Sequence, residues 1–576
     1  MKKFILLTSF LCSSVLTFAQ LVTWNGGRGD WDVASNWSSG SVPTLTNDVE
    51  ILSGQVRIDN GVNAEALSLF IDYNSSMLVE TTGTLLISGA TGNSGLENDG
   101  VMNVRGELNI ENVLAGVGIW LDGTLTVESG GTTKVHNTSS EGIRITGTGT
   151  LVNKGNLVVD LSGSDGIFSS NDLLNDVNGN MTITNCTSEA IGMNTTFARF
   201  HNGGSFHTEN VTNGIYVSSG TVDNLETGTI DIDNPTSNGI LITSGQMINR
   251  GVIDVDASPS HSGIDLRDGF LNESTGQVFI DNGSFGFDAN GTAVTLNRGL
   301  IHAGPNNING GLTNSGILTN EVCGNIILDS RLHNNAGGTF NNDGWVENNH
   351  TGTHRLIGTL INNGVIEDNP LNISGLITHN GVLVEPLTGP VQVGVATPNA
   401  LNLVNWGNYV SLGWYREATL ITSAGVYDPV ANTFVADAAV QGVTELYIHF
   451  QELTTFCEIV MRVDIPGGVL PYAPPAPTFR PTNTNGHNTA ISAERFSVYP
   501  NPASSVFNIK NANGKGEHRV EVFNAVGKEV MEVDMDFSQS RSHEIDASGS
   551  LTNGLYYLVI SKAGKMVQTE KLNVIK

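Results

Sequence analysis

Apolar and polar positions alternate in short runs along most of the chain, and the runs return at a fixed interval. A small residue followed by an apolar one recurs at Gly95-Leu96, Gly118-Ile119, Gly142-Ile143, Gly166-Ile167, Ala190-Ile191, Gly214-Ile215, Gly239-Ile240, Gly263-Ile264 and Gly286-Phe287, spaced 23 to 25 residues apart. Inside each unit, three short β-rich runs are separated by Gly, Asn and Asp, as in "GIRITGTG", "TLVNKG" and "NLVVDLSGSD". Period-two alternation fits strands, and three strands at about 3.3 Å per residue fill a turn of this length. One such turn cannot bury its own apolar face, so the turns must stack. The pattern predicts an all-β chain built on a parallel, right-handed β-helix solenoid.

The rhythm also marks boundaries. Residues 20–94 read as an N-terminal cap and the first turns ("NDVEILSGQVRIDNG", "SSMLVETTGTLLISG"), and 95–291 as the regular 24-residue repeat. Over 292–389 the unit degrades but persists in "LTNSGIL", "TFNNDGWV" and "TLINNGVI", which predicts shorter turns of two or three strands. Longer strands without the corner rhythm follow in "VSLGWYREATLI" and "VTELYIHF", so 390–468 reads as a small β-domain. The Pro/Thr/Asn-rich 469–494 reads as a linker, and 495–576 as a compact Ig-like β-sandwich. Asn153, Asn202, Asn249 and Asn297 stand just before a corner Gly, with Asn175, Asn224 and Asn272 before longer corners. Stacked amides there would hydrogen-bond along the solenoid axis.

Composition narrows the class. The 576 residues carry only 14% charged side chains, 68 Gly and a formal net charge of −29. So acidic a surface disfavours nucleic-acid phosphates and suits divalent cations. The start, "MKKFILLTSFLCSSVLTFAQ", has two lysines, an apolar run and Ala19, which predicts a secretory signal over 1–19. No later segment is apolar enough to span a bilayer. Cys186, Cys323 and Cys457 are widely spaced and read as scattered buried thiols.

The C-terminal segment pairs "FSVYPNPASSVFNI" with "VEVFNAVGKEV" and "LTNGLYYLVISKAGKMVQTEKLNVIK". This combination resembles the type A C-terminal sorting domain of proteins exported by the type IX secretion system of Bacteroidota. The resemblance rests on Tyr499, Pro500, Asn501, Pro502 and Ala503, on the strand holding Gly554 and Tyr556, and on Lys562, Lys565 and Lys571. It implies recognition by that secretion machinery, a secreted or cell-surface location, and in many members removal of the domain with attachment to surface polysaccharide.

Candidate chemistry lies in two places. Trp24, Trp31 and Trp37 cluster near the mature N-terminus, in a segment resembling those that open large secreted bacterial β-rich proteins. They predict either a plug over the solenoid's open end or a stacking platform for a glycan. Farther on, Asp160, Thr184, Glu209, Asp233, Asp256 and Asp281 share one register; Val158, Thr182, His207, Asp231, Asp254 and Phe279 share the register two residues earlier. Residues two apart share a strand face, and stacked strands lie about 4.8 Å apart. Asp231, Asp233, Asp254 and Asp256 should therefore form a square of outward carboxylates. Three readings stay open: turn capping, a calcium site, and catalysis by Asp231 and Asp254 with Arg250 or Arg267, in the manner of calcium-dependent β-helix polysaccharide lyases. His350 and His354 are the one close histidine pair, without a third ligand at metal spacing. The function expected is a structural, adhesin-like or glycan-contacting role, with a polysaccharide-active enzyme as the alternative.

Overall fold

A computed structural model describes residues 19–368 continuously and, beyond them, stretches of 378–469 and 496–574. Residues 1–18 and 470–495 lie outside the described residues, and with them nearly all of the expected secretory signal (1–19) and linker (469–494); so do Pro500, Asn501 and Pro502.

The repeat coils into a three-sided parallel solenoid. One turn shows the logic: Ser262–Leu266 lies on the first face, Gly269–Asn272 on the second and Gln277–Asp281 on the third. Each strand pairs in parallel with its counterparts one turn before and after, and the third face alone is a continuous 15-stranded sheet. Three-strand turns continue through Thr359–Asn362 and Val365–Asp368, so the expected irregular region keeps the full architecture and only shortens its corners.

The recurring small–apolar pair is explained by packing. Ile119, Ile143, Ile167, Ile191, Ile215, Ile240 and Ile264 form one buried column on the first face. The residue before each isoleucine faces side chains of the third face. A Cβ at Gly142 would stand 2.3 Å from Val159 Cγ1, and one at Gly166 2.2 Å from Ile183 Cγ2. Glycine is required there by close approach.

The corner asparagines form one buried ladder. Asn153, Asn175, Asn202, Asn224, Asn249, Asn272, Asn297, Asn320, Asn342 and Asn362 lie in unbroken register. Each Nδ2 donates to the Oδ1 of the next at 2.7–2.8 Å. Its second proton goes to a backbone carbonyl at the start of the third face one turn ahead, as from Asn224 to Val252 O at 3.1 Å. The corner that follows alternates in length: Gly comes two residues after Asn202, Asn249 and Asn297, but four after Asn175, Asn224, Asn272 and Asn320. Short corners nest inside long ones, and a Cβ at Gly251 would lie 2.2 Å from Gly228 O.

A second column sits at the exposed corner after the third face. Asn112, Asn137, Asn185, Asn210, Asn234 and Asn282 all adopt φ between 50° and 60°, and Leu161 takes the same left-handed conformation at φ 57°. Asparagine tolerates this region and leucine does not.

The solenoid's ends are closed. At the N-terminal end Trp31 and Trp37 are fully buried and Trp24 nearly so; their rings meet edge-to-face at 4.7 and 5.0 Å, and Trp37 Nε1 donates to Trp31 O at 2.7 Å. Both expected readings, plug and glycan platform, fall on these three buried indoles. At the other end a six-stranded antiparallel sheet (Thr397–Pro398 through Glu458–Asp464) shares its core with Val365 of the last turns, and Trp345 packs against it. The cysteines depart from expectation in part: Cys186 is a buried free thiol pushed up to about 11 by burial, whereas Cys323 is disulfide-bonded.

The C-terminal unit has a three-stranded sheet (Phe496–Tyr499, Val506–Asn511, Ser542–Asp546) and a four-stranded one (Glu517–Asn524, Glu529–Asp536, Gly554–Lys562, Lys565–Val574), with one shared core.

Two stability changes follow. Asn224→Leu strands the Asn202 donor and the Asn249 acceptor in the interior, and each unmet buried group costs about 1–3 kcal/mol, so the urea midpoint should fall clearly. Leu161→Asn relieves a left-handed leucine worth about 1–2 kcal/mol and should raise that midpoint; an unchanged midpoint would refute the strain.

Candidate functional site

The acidic column belongs to the third face. Along Thr229–Asp233 and Val252–Asp256 the isoleucines and valine at every second position are buried, which turns Asp231, Asp233, Asp254 and Asp256 outward. Register pairs Asp231 with Asp254 and Asp233 with Asp256, so the four carboxylates stand on neighbouring strands of one wall.

Several members of the column serve the corner of the following turn. Asp160 accepts from Asn185 Nδ2 at 2.7 Å and from Thr184 Oγ1 at 2.9 Å, and Asp256 accepts from Asn282 Nδ2 at 2.5 Å. Asp281 takes both the backbone N–H and the side-chain amide of Asn306. Partial burial raises the Asp160 carboxyl, but the bonds from Asn185 and Thr184 and the nearby His136 outweigh it and hold the group below its ordinary range. Capping therefore crosses from one turn to the next, with the left-handed asparagines as donors. After Asp233 the corresponding corner position of the next turn is Ala257, which has no amide to give.

Among the described residues, His207, Glu209 and Asp233 offer ligand atoms that all lie within 4.8 Å of one another. His207 Nδ1 is 2.9 Å from Asp231 Oδ2, an arrangement that orients an imidazole. Of the four predicted calcium ligands only Asp233 falls in this group. A mixed imidazole and carboxylate set favours a transition metal over calcium, which prefers oxygen throughout.

The two arginines go elsewhere. Arg250 pairs with Asp223 on the second face, and Arg267 pairs with Asp265 on the first face at 3.1 Å. The structure brings the carboxylates together and places neither guanidinium on them.

A second cluster, on the first face, was not expected. Glu141, Asp165 and Glu189 occupy the position just before the small–apolar pair on three successive turns. Glu141 is bound by Arg144 and Ser140, each at 2.5 Å. Asp165 is 8% exposed, and burial together with its hydrogen bond to Glu189 pushes its carboxyl up to about 7. Glu189 is held below its ordinary range: its own burial is outweighed by Asp165, Ser188 and Asn213, the last at 3.1 Å. Outward on the same strands run Trp120, Arg144, Phe168, Gly192 and Tyr216, in direct register. Farther along this face, burial beside Asp265 raises Asp288 to about 6.

In the C-terminal unit, the Tyr556 hydroxyl donates to Thr552 O and accepts from Thr552 N, both at 2.9 Å. This tyrosine pins the corner before its own strand. Ala503 is buried and bridges Val574 in parallel. Both residues therefore have structural places within the fold.

Comparison with known families agrees with that geometry. Residues 497–576 match the secretion system C-terminal sorting domain. No curated protein matches the chain. Among the described residues no helix is long and apolar enough to cross a membrane. The chain is a β-helix protein sorted for secretion through the type IX system.

The raised carboxyls set a pH dependence. Asp165 and Asp288 keep their protons in the fold at pH values where the unfolded chain has lost them. Stability attributable to them is full below about pH 4 and declines as pH rises towards 6 and 7. Between pH 5 and 7.5 the urea midpoint of Asp165→Asn should fall less than that of the parent; parallel slopes would show that Asp165 titrates normally.

Proposed function

We propose that the exported chain is a surface-displayed β-helix module with a structural, adhesin-like or glycan-contacting role. The observation that carries this reading is the third face: its parallel register runs from Asn63–Ala66 to Val382–Val384 without a shift. Catalytic sites usually interrupt a repeat, whereas the acidic column here continues it and caps its corners. A long rigid wall suits extended partners. In this reading residues 1–19 are removed as a leader, and the C-terminal domain delivers the chain to the secretion machinery before the solenoid is displayed.

The square formed by Asp231, Asp233, Asp254 and Asp256 supports a second reading, a calcium-dependent polysaccharide lyase. There a carboxylate-held cation would acidify the C5 proton beside a uronate carboxyl; a base would remove it as the C4–O glycosidic bond breaks, the departing oxygen taking a proton from an acid or water, to leave a C4–C5 double bond. Arg250 and Arg267 would have to leave Asp223 and Asp265 to take part, which weighs against it.

Incubation with uronic-acid polysaccharides, with and without Ca²⁺, decides between the two. The structural reading expects no ultraviolet-absorbing unsaturated product under either condition. Product that depends on calcium and disappears in Asp254→Ala would replace it with the lyase.

A further inference from the structure

The first face carries a feature that the acidic wall lacks. Arg144 lies 5.1 Å from the ring centre of Trp120 and 5.7 Å from that of Phe168, so the three side chains form one stack, its charge met by Glu141. The stack stops at Gly192. The next member of the column, Tyr216, lies two turns beyond Phe168. With strands about 4.8 Å apart, Phe168 and Tyr216 stand roughly 9.6 Å from each other at the backbone, and the column has no ring at the level between them. A single ring some 4 Å thick fits such a gap.

The floor of this gap is polar. A Cβ on Gly192 would stand 2.6 Å from Asp165 Oδ2 and 3.7 Å from Phe168 Cδ2, so the Asp165 carboxyl lies directly against the glycine. Its partner Glu189 is fixed by Ser188 and Asn213. Together the two groups line the gap with carboxyl oxygens held in place by their neighbours. At this turn the corner between the first two faces is long and forms part of the strand Ile191–Asn202. Between Met193 and Arg199 the strand bulges and presents Phe197, 76% exposed. A bulged corner beside aromatic walls and a fixed acid pair is the pattern of a binding site.

We propose that the notch formed by Phe168, Gly192, Tyr216 and the Asp165–Glu189 pair binds one pyranose ring of an uncharged, extended polysaccharide. A pyranose has apolar C–H faces for the aromatic walls and edge hydroxyls for the acid pair. Uronate or sulfated chains are disfavoured by Glu141, Asp165 and Glu189, and the guanidinium of Arg144 is already committed to Glu141. The inference rests on the glycan-contacting reading above and gives it a place on the molecule.

Titration calorimetry of the full exported chain against β-1,4-glucan, xylan, mannan and galactan hexaoses, with trigalacturonate as the charged comparator, tests it. Saturable binding to at least one neutral hexaose is expected. Phe168→Ala, Phe168→Leu and Tyr216→Ala should each weaken it about tenfold, while Tyr73→Ala, an exposed aromatic elsewhere, leaves it unchanged. The leucine variant keeps the apolar volume, and unchanged urea midpoints separate lost binding from lost folding. Glycan binding that survives the Phe168 and Tyr216 substitutions, or binding only of trigalacturonate, overturns the notch and leaves the glycan-contacting reading standing. Binding of no glycan in the set overturns both.

Discussion

The side-chain amides at the solenoid's buried corner are the interaction on which the wall depends. A parallel solenoid must turn a corner three times per coil, and every corner exposes backbone groups that strands would otherwise pair. On the inside of one corner those groups cannot reach water. Asparagine solves this because it has two donors and one strong acceptor at the right reach, and each residue satisfies itself only through its neighbours. From Asn153 to Asn362 the amides form a single hydrogen-bonded file, fully buried. Register follows from it, since a slip of one residue would leave a row of unmet polar atoms in a low-dielectric interior.

Once register is fixed, every other column inherits it. Isoleucines stack inward, glycines make room for the opposite face, and outward residues meet their own kind one turn away. That last consequence is costly for carboxylates, because it brings like charges within about 5 Å. The chain meets it in two ways. On the third face Asp160 and Asp256 accept from left-handed asparagines of the next turn. On the first face burial and the neighbouring Glu189 push the Asp165 carboxyl up, while Glu189 is held down by Asp165, Ser188 and Asn213. The first arrangement recurs at separate turns of the wall; the second occurs next to the bulge that carries Phe197.

The sequence made legible what depends on constant spacing. The inward isoleucine period reveals the solenoid, and counting from it places Asp231 opposite Asp254 and Asp233 opposite Asp256. Reach and burial were hidden. Arg250 and Arg267 are close to the square in number, but long side chains choose partners by direction, and theirs lie on other faces. Asn320, Asn342 and Asn362 escaped notice because the turn contracts from 23 to 20 residues there. The acid pair was overlooked for another reason. Its members sit one place before the small residue that marks each repeat, at a position filled elsewhere by Asn213, Asn238 and Ser262. Reading that position as a column would have shown three acids in succession. The bond of Cys323 carries no local signal at all.

The alternating corners have a consequence for how such a wall changes length over evolutionary time. Because a two-residue corner nests inside the four-residue corner of its neighbour, a single duplicated turn would set two equal corners against each other. Inheritance of the long–short order requires a pair of turns, the interval of 47 to 49 residues that separates Asn202, Asn249 and Asn297 from their like-cornered predecessors. The heritable unit of the central wall is thus a doublet, and its span grows in steps of roughly 9.6 Å.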